Sequence, residues 1–285
     1  MNWIILTLLM FLSSVILYVF VRIGKNLKMS AGLLNLASFA VPTICLYIYL
    51  IGGWETIDIS FKQFLIILFS AFFFSFLGNY FSMKGQQEAA NPGFSLMIQK
   101  SYGAFTIFLA AILFDSSITL IKLIGTFVII VFGLVLSMEK GKKLFTRDNM
   151  WLLYSMLSFF MFGMLSIAAK YLFNEDLTVF EFMIVLYTLV TLFGLLQQVS
   201  DRKSIKFSKG NILIFVLIGV FSLLFNLFKN QAYQVAPNIG YVNAANAGSI
   251  AALTVVAALL FGDRLSLRKV IGVSGIFAGL VMIFV

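Results

Sequence analysis

Four residues of one apolar stretch, Ser95, Gln99, Tyr102 and Thr106, are spaced 4, 3 and 4 apart. That spacing puts four hydrogen-bonding groups on one face of a helix. Lys100 lies directly beside Gln99. A second stretch carries Asn243, Asn246 and Ser249, spaced 3 and 3, which is again one helical face. Asn79 and Asn226 interrupt two further apolar runs. Such groups are costly against lipid, so they face either a cavity or another helix. Lining a cavity, they bind a polar solute. Between helices, they act as hydrogen-bonded glue. Lys100 has a parallel choice. It lies about 9 Å along its expected helix, so its stem can snorkel toward the interface. Turned inward, its ammonium pairs with a carboxylate or phosphate, which implies an anionic or zwitterionic solute.

Other chemistry is limited. There are no histidines and one cysteine, Cys45, so an intrachain disulfide and a Cys/His metal site are excluded. No Walker motif is present, and no cofactor is expected. An intramembrane enzyme needs clustered Asp, His or Cys near the interface, and the chain has no such cluster. Glu88 is expected as a loop charge. Glu181 is expected at a helix N-terminus, where an anion is favoured. Lys229 is close enough to a helix end to snorkel.

The elements that must position these groups are membrane helices. The 285 residues are 61% hydrophobic and only 11% charged, with a mean hydropathy of +1.05. A soluble domain carries about 25% charge. Long unbroken apolar runs argue against a β-barrel, whose strands alternate in polarity. About 20 apolar residues cross the hydrocarbon core as a helix. Ten such segments are expected, at 2–21, 29–51, 61–83, 94–114, 118–137, 150–172, 178–198, 211–233, 238–261 and 267–285. The first reads as a retained helix rather than a signal peptide.

Net charge is +9, but the basic residues sit in short clusters between apolar runs, so nucleic acid is not an expected partner. Arg22, Lys25 and Lys28 follow helix 1, and Lys84 follows helix 3. Lys140, Lys142, Lys143 and Arg147 follow helix 5. Arg202, Lys203, Lys206 and Lys209 follow helix 7, and Arg264, Arg268 and Lys269 follow helix 9. All these loops fall on one face. The opposite loops hold Glu55, Asp58, Asp115, Glu175 and Asp176. The positive-inside rule makes the basic face cytoplasmic, with both termini outside.

An internal repeat organises the chain. Shifted by 147 residues, 79–132 aligns without a gap on 226–279, with 16 of 54 positions identical. The matches include Asn79 with Asn226, Asn91 with Asn238, Gly93 with Gly240, Lys122 with Lys269 and Gly125 with Gly272. By the same shift Gln99 falls on Asn246 and Tyr102 on Ser249. Residues 1–138 and 150–285 then form two five-helix halves of a single transmembrane domain. An odd number of helices inserts the second half upside down, and the loop charges agree. The expected fold is an all-α polytopic membrane protein, ten transmembrane helices in two inverted five-helix repeats. Such repeats support alternating access around a midplane site, here between helices 4 and 9 with Gln99 opposite Asn246.

The paired runs "NPGFSLMIQKSYGAFTIFLAAILF" and "PNIGYVNAANAGSIAALTVVAALLFGDRLS…GVSGIFAG" resemble the drug/metabolite transporter superfamily, in its EamA-like ten-helix branch. The resemblance covers the whole chain and rests on architecture and pattern. It implies a central cavity inside helices 1–4 and 6–9, with helices 5 and 10 holding the halves together. Asp263 stands where the family often has Glu. The expectation is a secondary transporter in the cytoplasmic membrane, moving a small polar metabolite such as an amino acid. Its partners would be that small-molecule substrate and the lipid bilayer, and the chain would be a monomer or weak dimer. An exporter of cations or drugs, or a lipid or lipid-linked flippase of the same fold, is the alternative.

Overall fold

The computed structural model describes residues 2–53, 56–89, 92–138, 150–200 and 209–285. The basic loops after helices 5 and 7 (apart from Lys209, which opens α8), Glu55 and Asn91 lie outside the described residues. Among the described residues the fold is all-helical, with ten helices long and apolar enough to cross a membrane. They are α1 (Trp3–Asn26), α2 (Ala31–Ile51), α3 (Phe61–Glu88), α4 (Pro92–Phe114), α5 (Leu120–Ser137), α6 (Met150–Asn174), α7 (Val179–Ser200), α8 (Lys209–Val235), α9 (Ile239–Phe261) and α10 (Leu267–Phe284).

Local chemistry sets the helix ends. Asn2, Ser30 and Ser266 cap α1, α2 and α10, each accepting a bond from a first-turn backbone N–H. Ser60 and Gln63 form a reciprocal capping box at α3. Asn238 caps α9 by accepting from the Gly240 N–H at 2.9 Å. Its amide also donates to the Ile107 carbonyl of α4 at 3.1 Å. Gly262 ends α9 at φ 70, a left-handed conformation that suits glycine.

Two helices depart from simple α geometry. Ser70–Phe76 within α3 is π-helical. In α4 the helix tightens at Ser101, whose N–H bonds both the Met97 and the Ile98 carbonyls. That irregularity falls between Lys100 and Tyr102. Tightened turns inside a helix often mark a functional hinge.

The helix packing closes a ring. In spatial order it runs α1, α8, α2, α7, α3, α6, α4, α9 and back to α1. α5 and α10 lie outside this ring, packed extensively on each other, with α5 and α10 both against α9. Glycine lets them approach. A Cβ at Gly125 would lie 2.8 Å from the Gly279 carbonyl, and one at Gly279 2.7 Å from the Gly125 carbonyl. α4 and α9 meet the same way, because a Cβ at Gly103 would lie 2.8 Å from the Ala244 nitrogen.

Polarity is inverted relative to a water-soluble protein. Ser95, Gln99, Lys100, Thr106, Asn243, Asn246 and Ser249 are buried, whereas Ile48, Ile112, Leu196 and Leu259 are exposed. This is the arrangement of a multi-pass membrane protein, whose outer surface is solvated by lipid.

At the end carrying the basic loops, Arg22 of α1 donates to both carboxylate oxygens of Asp263 in the α9–α10 turn, at 2.7 and 2.8 Å. The guanidinium also lies 4.3 Å from the centre of the Phe261 ring. These hydrogen bonds hold the Asp263 carboxyl below its ordinary range. A depressed carboxylate pKa means the pair stabilises the fold above the unfolded value and is lost as pH falls through the folded one. Both partners are about one-third exposed, so the pair contributes under about 1 kcal/mol. The Asp263→Asn variant should therefore melt slightly below wild type from about pH 8 to about pH 5. The gap should close only below about pH 4. Melting curves across that range check both the sign and the window.

Candidate functional site

Lys100 turns into the bundle. Its side chain is 6% exposed. Its Nζ donates to Ser249 Oγ of α9 at 3.3 Å and sits 4.4 Å from the centre of the Tyr18 ring of α1. Ser14, one turn before Tyr18, lies 3.2 Å from Ser249 Oγ and donates to Asn246 Oδ1 at 3.4 Å. Ser249 in turn bonds the Asn246 carbonyl at 2.7 Å. The lysine is eight residues into α4, about 12 Å from that end, and it reaches across to α1 and α9 instead of snorkelling. Among the described residues its ammonium has no carboxylate at ion-pair distance, since the ion pairs there are Arg22–Asp263 and Lys62–Glu175.

Gln99 does something different. It accepts from Ser82 Oγ at 2.6 Å and donates to the Ser82 carbonyl at 3.2 Å and to Ser95 Oγ at 2.9 Å. Ser95 Oγ lies 2.7 Å from Ser155 Oγ, and Ser155 donates to the Trp151 carbonyl. Gln99 and Ser95 thus join α3, α4 and α6 and use their hydrogen-bonding capacity there. The expected opposition of Gln99 and Asn246 is not formed. Adjacent helical residues point about 100° apart, so Gln99 faces the α3–α6 side while Lys100 faces α1 and α9. The Gln99→Met variant keeps most of the volume but leaves the Ser82 and Ser95 groups without their partner. A loss of about 2 kcal/mol or more in stability is expected, at about 1 kcal/mol per lost bond. Thermal unfolding in detergent measures it, and any solute preference that survives should match wild type.

The upper half of α4 joins a third cluster. Asn243 donates to Thr106 Oγ1 at 3.0 Å and accepts a short bond from the Tyr233 hydroxyl of α8. Tyr233 also lies 3.0 Å from Ser166 Oγ of α6. The buried Tyr102 hydroxyl lies beside Asn246, Tyr233 and Ser166. The single polar stripe expected on α4 is therefore split at Ser101. Ser95 and Gln99 serve the α3–α6 seam, whereas Tyr102 and Thr106 meet α6, α8 and α9.

Asn79 and Asn226 behave alike. Each donates its side-chain amide to the carbonyl four residues earlier, Ser75 at 2.8 Å and Ser222 at 2.9 Å. Asn226 Oδ1 also accepts from Lys229 Nζ at 2.8 Å. The snorkelling expected of Lys229 is absent, because the ammonium reaches back toward the membrane centre and away from the nearer helix end. Two buried hydroxyls, on Ser158 and Tyr187, make no hydrogen bond to any described residue. An unsatisfied buried group of this kind costs about 1–3 kcal/mol.

Glu181 accepts from the Asp58 and Thr178 backbone N–H groups at 2.8 and 2.9 Å, so it ties two loops at the end opposite the basic clusters. At that end lies a cleft of about 680 Å³ between α2, α6, α7 and α8, lined by Tyr49, Asp176, Met183, Leu227, Gln231 and Gln234. Among the described residues no group of His, Cys, Asp or Glu could hold a metal ion.

Ser14 and Tyr18, which interrupt α1 at a four-residue spacing, and Ser166 and Tyr233 are functional candidates that hydropathy and spacing do not single out. Their signal was weak because serine and tyrosine barely lower the hydropathy of a long apolar run.

No family model matches the chain, and no curated protein matches it. Among solved structures, 29 chains match. One crystal structure, described only as that of a "protein", has a TM-score of 0.83 at 12% identity over 98% of each chain. At that identity the likeness shows the fold alone.

Proposed function

We propose that this chain is a secondary transporter of the drug/metabolite type, moving a small anionic or zwitterionic metabolite across the cytoplasmic membrane by alternating access. The observation that carries the reading is Lys100. It is a cation buried inside a ring of helices, held by the Ser249 hydroxyl and the face of the Tyr18 ring, with no carboxylate partner among the described residues. A charge in that setting is expensive unless it is paired. A carboxylate or phosphate on a solute supplies the pairing.

The inverted repeat is part of the proposal. Exchanging helix n with n+5 maps α1–α8 packing onto α6–α3, α2–α8 onto α7–α3, α1–α9 onto α6–α4 and α9–α10 onto α4–α5. The α2–α7, α4–α9 and α5–α10 pairs map onto themselves. The matched Asn79 and Asn226 make the same backbone bond. Three pairs break the pattern: α9 packs on α5, and α8 on α6 and α7, whereas the counterparts α4–α10, α3–α1 and α3–α2 scarcely touch. This near-symmetry supports a rocking-bundle mechanism with the site between α1, α4 and α9. The basic loops then face the cytoplasm, and the cleft at the other end faces outward.

A thermal-shift screen of the purified chain against a metabolite library tests the reading. A ligand that binds only the native state raises its stability with occupancy. Anionic or amino-acid-like solutes should raise the melting temperature. A response confined to hydrophobic cations would instead favour a drug exporter.

A further inference from the structure

Lys229, Asn226 and Tyr187 converge at one depth of the bundle. Lys229 is six residues before the end of α8, about 9 Å in. Tyr187 is eight residues after the start of α7 at the same end, about 12 Å in. The Tyr187 side chain is 2% exposed, and its hydroxyl lies beside Asn226 without forming a hydrogen bond of good geometry to any described residue. Asn226 is held in one orientation, with its carbonyl taken by Lys229 and its amide by the Ser222 carbonyl. What remains unspent is mostly donors, although the Tyr187 oxygen and the second lone pair of the Asn226 carbonyl can also accept. The Lys229 ammonium retains two N–H donors after bonding Asn226, and Tyr187 offers an O–H donor. Among the described residues no carboxylate pairs with Lys229. A set of donors around a cation fits a ligand that only accepts, which is an anionic oxygen.

We infer that Lys229 and Tyr187 form a second anion-binding subsite, distinct from that of Lys100, which takes a carboxylate or phosphate oxygen of the transported solute. Lys229 does not itself line the cleft at that end, because Leu223, Leu227 and Gln231 stand on the opposite side of α8; by depth alone, Lys229 lies nearer that end of the bundle than Lys100 does. The subsite's chemistry rests on the side-chain geometry. Its role as a station on a path rests on the transport reading.

The test uses the purified full chain in neutral detergent at constant ionic strength. Melting temperatures are recorded with acetate, succinate, inorganic phosphate and inorganic sulfate, and separately with added anionic lipid. Wild type should be stabilised by at least one soluble anion. Lys229→Gln should weaken its apparent affinity about 10-fold, the loss of one charge-assisted bond, and Lys229→Arg should retain most of it. Tyr187→Phe removes an unpartnered hydroxyl, so it should melt at or above wild type without anion and yet respond less to anion. A Tyr187→Phe protein that melts lower but keeps its full anion response overturns the subsite. So does an anion response unchanged in Lys229→Gln, or stabilisation by anionic lipid alone. An anion response lost in Lys100→Gln but kept in Lys229→Gln removes the subsite and leaves the transport reading standing. No response to soluble anions together with no solute movement removes both.

Discussion

Replacing Lys100 with glutamine should reduce uptake of an anionic solute about 10- to 100-fold while leaving the fold intact. The reduction follows from the bond that is lost. A hydrogen bond to a charged group contributes about 1.5–3 kcal/mol, and each 1.4 kcal/mol is about tenfold in affinity. The fold should tolerate the change because Lys100 is buried without a carboxylate partner among the described residues. Glutamine keeps a polar group near Ser249 and removes the cost of a buried charge. A stabilised variant that no longer transports anions is the expected phenotype. Initial uptake rates in proteoliposomes, read beside melting curves of the same preparations, separate this from simple misfolding. Unchanged uptake of the anion would dismiss the anion-site argument.

The second large effect concerns the pair outside the ring. Gly125 and Gly279 bring α5 and α10 together so closely that either Cβ would fall under 3 Å from the opposite carbonyl oxygen. Backbone cannot yield as a flexible side chain can. The Gly125→Ala variant should lose about 1–3 kcal/mol by overpacking, and Gly125→Leu should lose more and separate the two helices. Gly210→Ala is the control, because a Cβ there meets nothing within 4 Å. Equal melting temperatures for Gly125→Leu and Gly210→Ala would show that the tight α5–α10 contact is not required.

Much of the architecture was legible in the sequence. Apolar run length identified ten helices in the right order, because lipid leaves the backbone few alternatives. The ends were less legible. α1 continues to Asn26 and α3 to Glu88, past the last apolar residue, because a helix goes on bonding its own backbone after it leaves the hydrocarbon.

The site was legible in part. The polar residues of α4 and α9 are inward, as their cost against lipid required. Their partners were not readable. Periodicity treats α4 as one straight face, but the tightened turn at Ser101 divides it, and no residue of that turn is a proline. Gln99 and Lys100 are neighbours in sequence and serve opposite seams. Lys229 was assigned to the nearer interface on distance alone. Helix side chains lean toward their own N-terminus, and on α8 that direction leads inward to Asn226.

The central claim is that the ring carries a small anionic or zwitterionic solute. Uptake of labelled metabolites into proteoliposomes, run in parallel with a labelled-lipid flipping assay on the same vesicles, tests it most directly. Saturable accumulation of a carboxylate- or phosphate-bearing solute, absent from protein-free vesicles, with no protein-dependent lipid movement, is the expected result. Lipid flipping without movement of any soluble metabolite would contradict it.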